Sequence, residues 1–369
     1  MSQPHLQHLT LSQFRSHARA RLAFDGRPVA LWGPNGSGKT NLLEAVSFLS
    51  PGRGLRRAAA EDVGRRAEGV GWKVAATLAL GAMNHEVETQ ALPGEPRSVR
   101  IDGKAAAQLD LARLVPVLWL VPAMDRLWTE GAEGRRRFLD RATMSLSPDH
   151  GEASLAYEKA MRERNRLLKD GSRDAHWYAA LESQMAQAGT QVARNREGTV
   201  ARLMAAQAQA ETAFPAATLS ITYPEDPPPP TEELFAAGLE RGRWRDMAAG
   251  RSLLGPHRAD LEAVWTAKGV PARDCSTGEQ KALLVSLILA NARAIEEDGT
   301  APLLLLDEVA AHLDPLRRAA LYDEVCGLGL QAFMTGTEPG LFAELGDRAQ
   351  YWEAAEDGGT SHLTERSPT

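Results

Sequence analysis

A glycine-rich octapeptide, GPNGSGKT at residues 33–40, restricts the possible folds of this 369-residue chain more than any other segment. It fits the pattern G-x-x-x-x-G-K-[ST] of a phosphate-binding P-loop. Residues 29–32 before it form a short apolar run typical of a buried strand, and NLLEAVSFL after it has apolar residues at helical spacing. A strand, a glycine loop and a helix in this order predict an α/β fold with a nucleotide site at the edge of its sheet.

The P-loop residues have distinct expected roles. Glycines let consecutive backbone N–H groups turn toward phosphates, and the following helix adds its positive N-terminal end. We expect Lys39 to reach the β and γ phosphates of ATP and the Thr40 hydroxyl to ligate Mg²⁺. The residues predicted to contact the nucleotide here are Gly33, Pro34, Asn35, Gly36, Ser37, Gly38, Lys39 and Thr40.

A second half of the site is predicted far down the chain, in the segment LLLLDE at residues 303–308. It has the form of a buried parallel strand that ends in two carboxylates, where open α/β sheets present their ligands. Asp307 is expected to hold Mg²⁺ through water, and Glu308 to polarise the attacking water. The alternative, a core strand that ends in a capping Asp, is disfavoured by the P-loop upstream.

Two more motifs flank this strand. STGEQK at residues 276–281 opens a long apolar helix, and AAHLD ends at Asp314. The order of P-loop, S-x-G-E-Q, apolar strand with DE and x-x-L-D turn resembles that of ABC-type ATPases. The resemblance implies an ATP-dependent homodimer, in which each nucleotide lies between the P-loop of one copy and these residues of the other: Ser276, Gly278, Glu279 and Asp314.

The distance between the two halves indicates an insertion. Lys39 and Asp307 lie 268 positions apart, and Ser276 and Asp307 only 31. Transporter ATPase subunits keep the whole site within a shorter span, whereas chromosome-maintenance and recombination ATPases split the head around a helical arm. The charged, Ala-rich residues 149–210 supply such an arm, and it is too short for a long coiled coil.

The predicted architecture is therefore an α/β, ABC-type P-loop head with a mixed-sheet lobe I and an inserted, mainly helical lobe II. The expected ranges are 1–145 for lobe I, 146–251 for lobe II, and 252–369 for the C-terminal segment that carries Ser276 and Asp307 and completes the ATPase head.

Several stretches outside the ATP motifs make the resemblance more specific. They are LSQFRSH, PGRGLRRA, EGAEGRRRFLD, YEKAMRERNRLLK and LLGPHRADL. Together with the ATP motifs they cover nearly the whole chain and resemble the RecF family of bacterial recombination mediator ATPases. The resemblance implies a cytoplasmic, nucleoid-associated protein that binds gapped, duplex or junction DNA when loaded with ATP. It also implies RecO and RecR as partners and help in loading RecA.

Arginines are the candidates for DNA contact. The net charge is −6, so any contact must come from a local patch. Arg53, Arg56 and Arg57 follow the P-loop helix, and Arg136 lies in a later predicted helix. The alternatives are a solvated cluster for the first three and packing or ion pairing for Arg136. The arginines of the arm alternate with acidic residues and are predicted to face solvent: Arg162, Arg164 and Arg166.

Two positions depart from the transporter-type pattern. Those ATPases place a histidine after the strand that follows the x-x-L-D turn, whereas this chain reads FMTGTE, so Thr335 or Thr337 must fill that role. After the strand VLWLVP comes AMDRL, with no glutamine to link Mg²⁺ to the helical lobe. Both departures favour slow hydrolysis over a fast cycle, and the resemblance to the RecF family implies a weak ATPase that DNA stimulates and that acts as a dimerisation switch.

Composition restricts the remaining classes. The uncharged apolar runs are shorter than the roughly 20 residues of a membrane span, and no secretory start is recognised, so we expect no membrane partner. Cys275 and Cys326 cannot form a disulfide framework, which favours a reducing cytoplasm. The alternatives to the DNA-bound switch are a transport-coupling ATPase, a structural chromosome organiser and a regulatory ATPase that does not bind DNA.

Overall fold

The computed structural model describes residues 3–65 and 69–367. Its strands are β1 His5–Phe14, β2 His17–Ala23, β3 Val29–Trp32, β4 Trp72–Leu80, β5 Met83–Ala91, β6 Ser98–Ile101, β7 Lys104–Ala106, β8 Val117–Leu120, β9 Ala217–Thr222, β10 Asp260–Trp265, β11 Val270–Pro271, β12 Leu303–Leu306, β13 Ala332–Gly336, β14 Gln350–Asp357 and β15 Thr360–Arg366. Its α-helices are α1 Lys39–Ser47, α2 Ala132–Leu146, α3 His150–Lys169, α4 Ala175–Ala208, α5 Glu232–Ala249, α6 Thr277–Glu296 and α7 Pro315–Gly327.

The chain folds into two compact units. Unit 1 comprises Met1–Asp125, Gln209–Pro215 and Ser276–Thr369, and unit 2 comprises Arg126–Ala208 and Ala216–Cys275. The predicted α/β head with an inserted, mainly helical lobe is confirmed by this architecture. The boundary expected at residue 145 lies inside unit 2 because α2 packs against α4 and β10. The boundary expected at residue 251 lies inside it because β10 pairs with β9.

Unit 1 contains a mixed sheet that carries the P-loop. Its order is β15-β14-β3-β13-β12-β8, in which all neighbours are parallel except the edge strand β15. β3, β8 and β12 are buried along their whole length, which explains their uninterrupted apolar sequences. The carboxyl ends of β3, β13 and β12 are neighbours, and this edge positions the candidate site.

A second, antiparallel sheet covers one face of the first. Its order is β2-β1-β4-β5-β6-β7. A single apolar core joins the two sheets with α1 between them, and it includes Leu11, Leu31, Val46 and Leu305. Since seven of the nine residues of α1 are buried, the P-loop helix has little freedom to move relative to either sheet.

Unit 2 combines α2 to α5 with the small antiparallel sheet β11-β10-β9. Its helices enclose a charged centre. Arg164 of α3 is fully buried, and its guanidinium bonds to Asp246 at 2.6 Å and to Glu182 at 3.1 Å. The prediction that Arg164 faces solvent was therefore wrong. The alternation of charges along α3 does not reveal that α4 and α5 provide buried carboxylates for this one arginine.

The GPHR turn between α5 and β10 is held by side chains of unit 2. Tyr157 donates to His257 Nδ1 at 2.7 Å, and His257 Nε2 donates to the Ser252 carbonyl at 3.0 Å. Burial, together with the charge of the nearby Arg258, lowers the pKa of His257 to about 4. His257 is thus a neutral structural residue.

None of the helices in the described part of the chain is long and apolar enough to cross a membrane.

Candidate functional site

Three glycines let the P-loop turn tightly around its ligand position. Gly33, Gly36 and Gly38 have φ angles of 151°, 86° and 96°. A Cβ atom on Gly33 would lie 2.1 Å from the Ala354 carbonyl oxygen, and one on Gly38 would lie 2.2 Å from Ser361 Oγ. The loop is therefore pressed against the hairpin of β14 and β15, and only glycine fits at these two positions.

Lys39 lies within the curve of the loop. It is 4% exposed, and its Nζ donates to the carbonyl oxygens of Gly33 at 2.7 Å and Pro34 at 2.8 Å. Burial lowers the pKa of Lys39, while the charges of Glu308 and Asp307 oppose this shift. The ammonium group is thus placed to approach phosphates held by the loop and lies within electrostatic range of the carboxylates of the other half.

The two halves of the site meet at Thr40 and Asp307. Thr40 Oγ1 donates to Asp307 at 3.0 Å to Oδ1 and 3.1 Å to Oδ2. Asp307 follows β12, and its backbone N–H donates to the Leu120 carbonyl of β8 at 2.9 Å. A sequence gap of more than 260 residues is closed because β3 and β12 lie on either side of β13 in one parallel sheet.

These oxygens fit a small hard cation. Mg²⁺ prefers oxygen ligands and is usually bound by one or two protein groups together with substrate phosphates and water. Thr40 Oγ1 and the Asp307 carboxylate supply such a set. No group of three or more His, Cys, Asp or Glu side chains that could hold a metal alone occurs within residues 3–65 and 69–367. A cation bound here would take its remaining ligands from water or from a bound phosphate.

Glu308 has a strained backbone. Its φ angle is 53°, in the left-handed region that residues with a Cβ rarely adopt. Its N–H donates to Thr335 Oγ1 at 2.9 Å, and the same hydroxyl donates to Asp307 Oδ1 at 2.8 Å. Strain of this kind persists where the surroundings fix it, and it is common at catalytic sites.

The residues of the S-x-G-E-Q motif begin helix α6. Ser276 is its N-cap: its Oγ accepts from Glu279 N, and Glu279 Oε2 accepts from Ser276 N at 2.8 Å. Ser276 and Gly278 are exposed, and a Cβ atom on Gly278 would meet nothing within 4 Å. Packing within one chain therefore does not require glycine here, and the surface above this turn is open.

Asp314 has a similar capping position. It is the exposed N-cap of α7, and its Oδ1 accepts from Arg317 N at 2.9 Å. The first turn of α7 presents Leu316, which is 84% exposed. Among the predicted nucleotide contacts, then, those from the P-loop and β12 converge, while Ser276, Gly278 and Asp314 occupy exposed helix starts.

An ion pair involves the segment that lacks the glutamine. Asp125 follows β8, and its Oδ2 lies 3.6 Å from Nζ of Lys281, on the first turns of α6. Lys281 is 6% exposed, and burial lowers its pKa against the opposing effects of Asp125 and Glu308. This pair connects the strand beside Asp307 to the helix that starts at Ser276. Sequence reasoning did not predict either residue.

The arginine candidates divide into engaged and free side chains. Arg56 donates to Asn41 Oδ1 at 2.6 Å and to the fully buried Glu44 at 3.3 Å, which Arg15 also binds through two bonds. Arg56 is therefore attached to the P-loop helix. Arg53 and Arg57 are exposed, which fits a contact with a partner and a solvated cluster equally.

Arg136 lies in unit 2. Its Nη1 donates to the Ala259 carbonyl at 2.8 Å, and burial lowers its pKa, with a further contribution from Arg196. Arg136 is thus half-buried and bonded within unit 2, which favours the packing alternative. Cys275, next to Ser276, is buried, as expected for a packed thiol.

Comparison with known proteins places these features in a family. The model of the RecF/RecN/SMC N-terminal domain matches residues 5–351. A DNA replication and repair protein RecF of Rhizobium johnstonii is 48% identical over 364 residues, which cover 95% of this chain and 97% of the relative. The RecF of Rhizobium meliloti is 49% identical over 364 residues, with the same shares of the two chains.

A solved structure has the same fold. The recombination mediator protein RecF with ATP, of the RecFOR pathway, superposes with a TM-score of 0.83 and 21% identity, and the match covers 99% of this chain and 100% of that one.

Proposed function

The chain belongs to the RecF/RecN/SMC family and, within it, to the RecF proteins, and we propose that it is an ATP-dependent DNA-binding protein of recombinational repair and replication restart. The observation that supports this most is the bond between Thr40 and Asp307, within electrostatic range of Lys39 and next to Glu308. These groups suit the binding and hydrolysis of a nucleoside triphosphate. The name shared by the relatives, DNA replication and repair protein, supports the DNA part.

In the proposed reaction, water attacks the γ-phosphorus in line with the bond to the oxygen that leaves with ADP. Glu308 orients this water by accepting a hydrogen bond from it. The Lys39 ammonium stabilises charge on the transferred phosphoryl group. Thr40 and Asp307 would hold Mg²⁺, which would supply positive charge to the phosphates.

The second part of the proposal is that ATP joins two copies head to tail. Ser276 offers a hydroxyl at a helix start, where the backbone N–H groups and the helix dipole favour a phosphate. The open space above Gly278 leaves room for a γ-phosphate held by another copy. Asp314 and the exposed Leu316 lie at the start of α7, and we propose that they contact the partner copy as well.

We propose that DNA is bound through its phosphates by exposed arginines of the paired heads. Arg53 and Arg57 are the first candidates in unit 1, whereas Arg56 is bonded to Asn41 and Glu44 of the P-loop helix. Contacts to phosphate give affinity that falls steeply with salt and depends little on sequence. A regulatory ATPase that does not bind DNA would show no such salt-dependent affinity, and DNA would not stimulate its hydrolysis.

The pathway in which the solved RecF is placed suggests the partners. We propose that this chain acts with RecO and RecR in the cytoplasm, at the nucleoid, and that it promotes RecA loading at gapped DNA indirectly. Slow hydrolysis suits this role, because a protein that marks a gap must stay on the DNA longer than a single loading event.

The test is sedimentation of a Glu308→Gln variant, which keeps ATP binding and removes the carboxylate that orients water. We expect a dimer with ATP that persists on gapped and duplex DNA, while wild type returns to monomer as ATP is consumed. Lys39→Ala is the control and stays monomeric, since its loop lacks the phosphate-binding ammonium. A Glu308→Gln protein that remains monomeric with ATP and DNA contradicts the dimer proposal.

A further inference from the structure

We propose that Thr335 is a positioning residue of the hydrolytic site and acts where transporter-type ATPases use a histidine. The inference rests on the proposed ATP hydrolysis and adds the residue that holds its two carboxylates in place. The sequence left Thr335 and Thr337 as equal candidates, and their surroundings now separate them.

The sheet register places Thr335 beside the carboxylates. β13 is parallel to β12 with Met334 opposite Leu306, so the next residues, Thr335 and Asp307, lie side by side. Thr335 is 1% exposed. Its hydroxyl donates to Asp307 Oδ1 at 2.8 Å and accepts from Glu308 N at 2.9 Å. One buried oxygen therefore joins the side chain of Asp307 to the backbone of Glu308.

This bridge acts on both catalytic groups. Asp307 Oδ1 receives a second hydroxyl from Thr40, so the carboxylate is held between two donors and its free rotation is restricted. Glu308 has its backbone in the left-handed region, and the bond to Thr335 holds the N–H of that strained peptide. Since the direction of the Glu308 side chain follows its backbone, Thr335 determines where the attacking water is held.

The neighbouring positions are unsuited to this role. Thr337 is exposed beyond the end of β13. Gly336 has no side chain, and a Cβ atom there would lie 3.0 Å from Leu341 Cδ1 and from the ring of Phe342. A histidine at residue 336 would have to displace this packing. The end of β13 thus leaves the buried hydroxyl of Thr335 as the group in contact with both carboxylate residues.

The test compares variants that remove or keep the hydroxyl. Thr335→Val has nearly the same shape without the hydrogen bonds, Thr335→Ser keeps the oxygen, and Thr337→Val is the matched control on the surface. Single-turnover hydrolysis and equilibrium ATP binding are measured on the full chain. We expect Thr335→Val to lower the hydrolysis rate at least about tenfold, with ATP affinity within about threefold of wild type. Thr335→Ser and Thr337→Val are expected to hydrolyse within about threefold of wild type.

A second readout separates positioning from folding. With ATP, Thr335→Val is expected to form the same persistent dimer as Glu308→Gln, which an unfolded protein cannot do. Thr335→Ala provides a second variant without the hydroxyl, with the same expected loss, should the buried valine not be tolerated. Hydrolysis at the wild-type rate in both hydroxyl-free variants overturns the positioning role and leaves the proposed function intact. Equal losses in Thr335→Ser and Thr335→Val do the same. A wild-type protein that binds but never hydrolyses ATP overturns the proposed function and this inference together.

Discussion

At the scale of single residues, two glycines of the P-loop have similar backbone angles and different surroundings. Gly36 and Gly38 have φ angles of 86° and 96°. A Cβ on Gly36 would meet nothing within 4 Å, whereas one on Gly38 would lie 2.2 Å from Ser361 Oγ and 2.7 Å from Ser361 Cβ. Comparing alanine at the two positions therefore separates backbone strain from steric overlap.

We expect Gly36→Ala to lower the free energy of unfolding by about 1–2 kcal/mol, the cost of a left-handed residue with a Cβ. Gly38→Ala is expected to lose about 1–3 kcal/mol more, because the hairpin of β14 and β15 must move away from the loop. Urea unfolding without nucleotide measures both. Equal losses in the two variants would show that the hairpin yields freely and does not support the loop.

Thr335 shows where residue-level prediction from sequence reaches its limit. The P-loop glycines, Lys39 and the DE pair could be recognised because their chemistry is carried by residue types at fixed spacing. The choice between Thr335 and Thr337 depended on which of them enters the sheet beside β12, and this register is a property of strand pairing. Asp125 and Lys281 were missed for the same reason, since their pairing joins segments more than 150 residues apart.

At the scale of elements, the P-loop helix is anchored at both ends. Its start carries the phosphate-binding loop, and its end is held by Arg97, the residue before β6. The Arg97 guanidinium donates to the carbonyl oxygens of Phe48, Ser50 and Gly52 and lies 4.9 Å from the centroid of the Phe48 ring. Burial lowers the pKa of Arg97 to about 10, so the side chain remains charged at neutral pH. A cation at a helix C-terminus is favourable.

Arg97→Met is expected to lower the free energy of unfolding by about 2–4 kcal/mol, because the carbonyl oxygens at the end of α1 lose their buried donor. The matched control is Arg100→Met, an exposed residue on β6, for which a change within about 0.5 kcal/mol is expected. Denaturant unfolding measures both. If Arg97→Met is as stable as Arg100→Met, the arginine does not hold the end of the helix.

The elements of unit 2 were less accessible to sequence reasoning than those of unit 1. β3 and β12 are continuous apolar runs, which is typical of parallel strands buried on both faces. The arm is amphipathic and charged, and its charge pattern alone cannot show which arginine meets carboxylates from other helices. Arg164 is buried and Arg166, on the same helix, has a side chain that is 84% exposed. The assignment of α2 to unit 2 likewise follows from its packing against α4 and β10, and no local sequence motif predicts this packing.

At the scale of the whole molecule, the proposed pairing of two copies makes a quantitative prediction. Lys39→Ala disables the P-loop half of a site, and Ser276→Arg disables the half that the partner contributes. Each variant alone is expected to be inactive as an ATPase. When they are mixed, a dimer of one copy of each has one site in which both halves are intact and one in which both are altered. Complementation of this kind is impossible if each chain completes its own site.

Because Lys39→Ala does not pair with itself, activity comes from mixed dimers, each with one of two sites intact, so we expect at most about half of wild-type hydrolysis when the sites act independently. The control mixes Lys39→Ala with the double variant Lys39→Ala/Ser276→Arg, in which every P-loop is disabled, and no activity should return. Recovery of activity in the first mixture alone shows that the halves come from different copies. A Ser276→Arg protein that hydrolyses ATP normally by itself would instead show that Ser276 of a partner copy is not needed. The open space above Gly278 would then not be a binding position for the partner's nucleotide.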